Sequence, residues 1–145
     1  MIVQVRQGGR VKIQVKIPKI KLKKLTPKQI EEALSILVTD IKRNTPVDTG
    51  KLRGSIRKRK TANGGEIYLN GKRNNEVAEY LIDGTKAHWV RPKKKKALAW
   101  WTGSGMAFST GHKVKGIRKG YWKFQPTKSA LNAFMSRIKH FITAK

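Results

Sequence analysis

From Gly84 to Lys123 the chain reads GTKAHWVRPKKKKALAWWTGSGMAFSTGHKVKGIRKGYWK, with eleven Lys or Arg and no Asp or Glu. The same stretch holds all four tryptophans, Trp89, Trp100, Trp101 and Trp122. It is too long for an ordinary connection in a compact domain, where structureless loops above about 12–15 residues are uncommon. A segment this basic and this aromatic needs a partner surface, and the flanking regions read as the scaffold that presents it.

The charge says what kind of partner. The chain of 145 residues carries 34 Lys plus Arg against 8 Asp plus Glu, a formal net charge of +26. A small soluble domain is well served by a magnitude of about 2–8, and self-repulsion beyond that opposes a compact monomer. Nucleic acid, an acidic protein surface, or both would relieve it. Residues 1–25 hold eight basic side chains and no acid, residues 26–83 eleven basic and all eight acids, residues 84–145 fifteen basic and no acid. The absence of cysteine excludes disulfide and thiolate chemistry. No stretch approaches the ~18 apolar residues of a membrane span, and MIVQVRQGG lacks the apolar core of a signal peptide. The chain is therefore expected to stay in the compartment where it is made.

Ahead of the basic segment the patterning is regular. Val3 and Val5, then Val11, Ile13, Val15 and Ile17, alternate with polar residues, the period of half-buried strands. Gly8 and Gly9 between them imply a hairpin. A two-residue loop would set Val5 opposite Lys12; a three-residue loop with a left-handed glycine sets it opposite an apolar partner, and the pattern favours the latter. The other face of the second strand, with Arg10, Lys12 and Lys16, is left to water or an anion. After Pro18 the alternation shifts to Ile20 and Leu22 in a lysine-rich connector, with a long cationic arm as the competing reading.

Thr26, Pro27 and Gln29 spell a helix start: a capping threonine, proline at the first position and the second half of a capping box. Ile30, Leu34, Leu37, Val38 and Ile41 form one apolar stripe that ends near Asn44, because Pro46 disfavours helix at Thr45. Residues 51–60 and 66–70 read as strands, with Leu52 and Ile56, then Ile67 and Leu69, facing inward. Residues 75–82 read as a short helix with Val77 and Leu81 on one side. Residues 97–101 and 113–117 read as strands flanking a glycine-rich stretch, 102–111, expected to be mobile or ordered only against a neighbour. Leu131, Phe134, Ile138 and Phe141 mark a C-terminal helix. The expectation is one α+β domain over 1–145: a basic hairpin and connector (1–25), an α+β scaffold (26–83), a basic aromatic excursion (84–123) and a terminal helix (124–145). A small antiparallel sheet would pack with the long helix and the C-terminal helix.

Catalytic chemistry is poorly supported. His88, His112 and His140 lie far apart without cysteine or carboxylate companions at ligand spacing, so no metal or other cofactor is implied. The glycines before Lys113 miss the phosphate-loop spacing, and Gly103-Ser104-Gly105 is not a nucleophile elbow. The eight acids offer no evident dyad. For the basic segment two readings stand: lysines and arginines on phosphates with tryptophans stacked on bases, or tryptophans as core and subunit-interface anchors.

The order of four motifs resembles a known family. The run from Thr45 to Ile56, TPVDTGKLRGSI, follows an amphipathic helix and is similar to the VDTG-x-LR-x-SI segment of phage tail-completion proteins, the minor-tail-protein-Z-like, head–tail joining family of long-tailed phages. VAEYLIDGT, from Val77 to Thr85, resembles that family's helix end before Gly-Thr. WVRPKKKKALAW, from Trp89 to Trp100, resembles its P-K-x-x-K-AL strand, and Val114 through Pro126 its closing region. The resemblance covers about 26–140, and departs in carrying Asp83 directly before Gly84 and Gly120 where proline is common. It implies a non-enzymatic virion protein of tail or neck, built in host cytoplasm, acting in a ring with other neck and tail proteins and without a membrane. On that reading Trp89, Trp100, Trp101, Phe108, Tyr121 and Trp122 are expected at intersubunit surfaces. Arg91, Lys93, Lys94, Lys95, Lys96, Lys113, Lys115, Arg118 and Lys119 would contact DNA or another anion. Asp48, Thr49, Gly50, Gly84 and Thr85 would be structural. A free-standing, non-specific nucleic-acid-binding protein is the alternative.

Overall fold

The longest helix forms where its ends are best specified. In the computed structural model, which describes residues 2–144 without the side chain of Val3, helix α2 spans Pro27–Arg43. Thr26 Oγ1 accepts from the Gln29 amide at 3.2 Å and Gln29 Oε1 accepts from the Thr26 amide at 3.0 Å, which satisfies two of the helix's orphan donors. The apolar stripe buries Ile30, Ala33, Leu34, Leu37 and Ile41.

That stripe lies on a four-stranded antiparallel sheet. Strands β1 (Ile2–Gln7) and β2 (Arg10–Lys16) form the first hairpin, β3 (Ile56–Thr61) and β4 (Gly64–Leu69) the second, in the order β1-β2-β4-β3. Val11, Ile13, Val15, Ile56, Ile67 and Leu69 form the covered face. Gly65 lets α2 come close, since a Cβ there would sit 2.4 Å from Leu34 Cδ1. A short helix α1 (Lys19–Leu22) fills the connector after β2, and α3 (Lys51–Gly54) precedes β3. Helix α4 (Lys72–Asp83) is pinned to the sheet by buried Asn75. Its Oδ1 accepts from the Val11 amide at 2.9 Å, and its Nδ2 donates to the Leu69 carbonyl at 3.0 Å. Helix α5 (Lys128–Thr143) packs along α2 through Ala130, Phe134 and Ile138. Asp40 of α2 accepts from both the amide (2.8 Å) and the hydroxyl (3.1 Å) of Thr127, the α5 cap. The class is α+β. Among the described residues no helix is long and apolar enough to cross a membrane.

Three expectations need correction. The first hairpin has a two-residue turn, with Gln7 opposite Arg10 and Val5 opposite Lys12. Gly8 and Gly9 both have positive φ, 57° and 72°, the geometry whose twist matches a two-residue hairpin. Turn chemistry therefore overrides the valine pattern and sends Val5 to the face away from the helices. Val3's expected place on the core face falls outside the described side chains. The second correction is at 51–54, a helical turn and not strand, because Gly50 at φ 81° redirects the chain after the Thr-Gly turn. The third is the helix expected from 75, which starts three residues earlier, at Lys72.

Truncating Leu34 to Ala should cost about 2–5 kcal/mol, since the side chain is wholly enclosed and its loss leaves a cavity. Thr26→Ala should cost about 0.5–2 kcal/mol through the cap. Urea unfolding monitored by circular dichroism checks both values and their order.

Candidate functional site

The basic segment leaves and rejoins the body at one place, the C-terminal end of α4. The Thr85 amide donates to the Ile117 carbonyl at 2.8 Å, and the Ile117 amide donates to Thr85 Oγ1 at 3.1 Å. The Gly120 and Trp122 amides donate to the Ile82 and Leu81 carbonyls, at 2.8 and 3.2 Å. The two chains approach too closely for side chains. A Cβ on Gly116 would lie 2.0 Å from the Thr85 carbonyl oxygen, and one on Gly84, where φ is 80°, 2.6 Å from that of Ile117. This explains Gly84 and Thr85 physically: they form the root of an arm.

Beyond the root the arm is a long interrupted hairpin. β5 (His88–Val90) pairs with β8 (His112–Val114), and β6 (Leu98–Thr102) with β7 (Gly105–Ser109), as two separate two-stranded sheets. On one side β7 passes to β8 through residues 110–111 alone; on the other, residues 91–97 bulge between β5 and β6. The glycine-rich stretch 102–111, expected to be mobile or ordered only on assembly, forms the turn and second strand of this hairpin. The strand expected at 113–117 covers His112–Val114 only.

Alternation sorts the side chains onto two faces. Leu98, Trp100 and Ala107 share one, and Trp100 meets the His112 ring with centroids 5.0 Å apart. Ala99, Trp101, Met106 and Phe108 share the other, with Trp101 78% and Phe108 69% exposed. Trp89 is exposed beside Lys113 at the base, and Tyr121 is exposed at the root. Met106 belongs with the expected set although the sequence reading left it out; its period-two spacing from Phe108 was the available signal. Trp122 is a correction. It was expected at an intersubunit surface, but it is 4% exposed, packs on Phe124 at 5.5 Å and belongs to the chain's own core. Trp122 and Phe124 alternate inward just after the root and clamp the returning chain to the body.

The cations fall into separate groups. Arg91 and Lys93–Lys96 lie in the bulge, Lys113 at the base, and Lys115, Arg118 and Lys119 near the root, all exposed. Asp48 and Thr49 sit in the exposed turn before α3, where Thr49 Oγ1 accepts from the Lys51 amide at 3.5 Å. Among the described residues no three of His, Asp and Glu gather as a metal site would require.

The body is closed by an ion pair between its ends. Arg6 of β1 donates twice to Asp83 at the end of α4, at 2.6 and 2.8 Å. The hydrogen bonds from Arg6 hold the Asp83 carboxyl below its ordinary pKa. The stretch of known kinship begins at Arg6 and ends one residue after Asp83. A family model described as "Bacteriophage HK97-gp10, putative tail-component" matches residues 6–84. The chain belongs to this phage tail-component family. The matched stretch takes in the last two residues of β1, strands β2 to β4 and helices α1 to α4, and it stops at Gly84, so the arm and α5 lie beyond it. No curated protein and no solved structure matched the chain. As a tail component the protein is a virion part, and its family is a structural one.

Gly116→Ala should open the root. Protease cleavage within 86–119 should rise about tenfold for each ~1.4 kcal/mol of strain introduced, while Gly103→Ala, with open space at its Cβ, should cleave like the parent. The Arg6–Asp83 pair adds a pH dependence. Because the folded-state pKa of Asp83 is depressed, its contribution is complete above the unfolded value of about 3.9 and disappears as pH falls through the lower folded value. The effect is small, since the pair is solvent-exposed. Arg6→Gln should lower thermal stability slightly at neutral pH and converge on the parent as pH falls below about 4, which flattens the acid limb of the profile.

Proposed function

We propose that this tail component acts in head–tail joining or tail completion, as one subunit of a ring in which each arm is laid against a neighbouring subunit. What carries the reading is the face of Ala99, Trp101, Met106 and Phe108, apolar and exposed on a hairpin whose strands pair only with each other. A monomer gains nothing from displaying such a face, whereas aromatic side chains on a projecting element are the usual anchors of a subunit contact. Trp89 and Tyr121 would continue the contact along the arm towards its root, with Trp100 on the hairpin's other face against His112. The cations of the bulge and root, Arg91, Lys93–Lys96, Lys113, Lys115, Arg118 and Lys119, would repel those of neighbouring subunits unless an anion lies nearby. DNA passing through the ring would serve.

Trp101→Ser combined with Phe108→Ser removes the apolar face without touching the core. After nuclease treatment, in high salt, sedimentation should show the parent as a discrete oligomer and the double variant as monomer. The same discrete species from both proteins would remove the arm from the interface. Monomers from both, together with tight DNA binding by the monomer, would favour the free-standing nucleic-acid-binding protein.

A further inference from the structure

A second cationic surface lies on the body, away from the arm. The sheet order β1-β2-β4-β3 places the outward residues of β2 and β3 on one side, opposite the helices. That open face carries Arg10, Lys12, Lys16, Arg57 and Arg59 and a single acid, Glu66. Glu66 is only 5% exposed, sealed beneath an ion pair with Arg59 and a 3.6 Å contact from Lys12. The Arg59 guanidinium also lies over the Tyr68 ring, 4.9 Å from its centroid. The face therefore shows cations outward and keeps its one carboxylate underneath. At its edge a groove of about 960 Å³ runs between the Gly8–Gly9 turn and the start of α4. Arg10, Lys12, Arg59 and Lys72 line it, with Glu76 and Glu79 of α4 also at its wall.

We infer that this open face binds the phosphate backbone of duplex nucleic acid, without reading sequence. The chemistry differs from that of the arm. Protein–protein contacts centre on exposed aromatic or aliphatic anchors, and here the candidates, Val5 and Tyr68, are half-buried, Tyr68 beneath Arg59. Nucleic-acid interfaces are polar and strongly positive, as this face is. With Tyr68 covered, no ring is free to stack on a base, so single strands gain none of the stacking that sequence-tolerant single-strand binders use. What remains is phosphate neutralisation. The inference stands whether or not the subunit forms a ring.

The test uses the full chain and a fluorescent duplex of about 20 base pairs, followed by anisotropy from roughly 50 to 200 mM salt. Arg10→Gln, Arg57→Gln and Lys72→Gln together remove three cations and leave the Lys12–Glu66–Arg59 arrangement intact. Lys19→Gln, Lys21→Gln and Lys23→Gln remove the same charge from exposed positions at α1. Each phosphate contact contributes about 0.9 to the slope of log K against log salt. The open-face variant should therefore lose about 2–3 in slope and bind about tenfold or more weakly at the low-salt end, and the α1 variant should lose less than about one. Unchanged thermal melts for both variants, whose substituted side chains are all exposed, make the comparison one of surfaces. Equal losses in the two variants, or no loss in the first, would overturn the inference. So would an open-face variant that binds duplex normally but fails to enter tails, which would assign the face to a protein partner.

Discussion

The arm depends on close backbone contact at the end of α4. Two hydrogen bonds between Thr85 and Ile117, and two more from Gly120 and Trp122, hold the outgoing and returning strands to one another and to the helix end. They are possible only because Gly84 and Gly116 leave no side chain between the strands. Beyond this point the hairpin has no sheet to join, so its direction is set at the root. Trp122 and Phe124 add the apolar part of the anchor, since burying two aromatic side chains immediately after the arm costs the chain its freedom to slide or detach.

The eight acids of the chain all lie in the body, and several act as struts. Asp83 fastens β1 to α4 through Arg6, Asp40 of α2 holds Thr127, the cap of α5, Glu66 steadies Lys12 and Arg59, and Glu32 reaches Arg137 at 3.8 Å. Carboxylates engaged in this way hold elements together, each beside a cation or a capping residue. Two exposed surfaces of different character follow. The arm tip is apolar and aromatic, suited to protein; the open sheet face is cationic and without free aromatic rings, suited to phosphate. On the proposed reading, in which the subunit grips its neighbours with DNA close by, separating the two surfaces in space keeps one contact from competing with the other.

The helices were legible because their signals are local. The Thr26–Gln29 capping box and the stripe from Ile30 to Ile41 specify α2 without help from the rest of the chain, and Leu131, Phe134 and Ile138 specify α5 in the same way. The turn at Gly8–Gly9 was misread because the valine alternation and the turn geometry give opposite registers, and the turn prevails on an edge strand whose Arg6 has Asp83 to meet. Trp122 was misplaced for a different reason. Its burial depends on the chain returning to α4 after some thirty-six residues, a non-local fact that neither composition nor periodicity carries. The cations of β2 and β3 were visible as outward faces of two hairpins. That they form one surface follows from β2 pairing with β4, which sequence alone does not reveal.

Crosslinking from the arm tip reaches the central claim most directly. With a photo-reactive residue in place of Trp101, irradiation of assembled tails should join the arm to a second copy of the chain, at a fixed set of sites. Crosslinks confined to the arm's own chain, or spread without preference over unrelated proteins, would contradict the assignment of the arm as the contact between subunits.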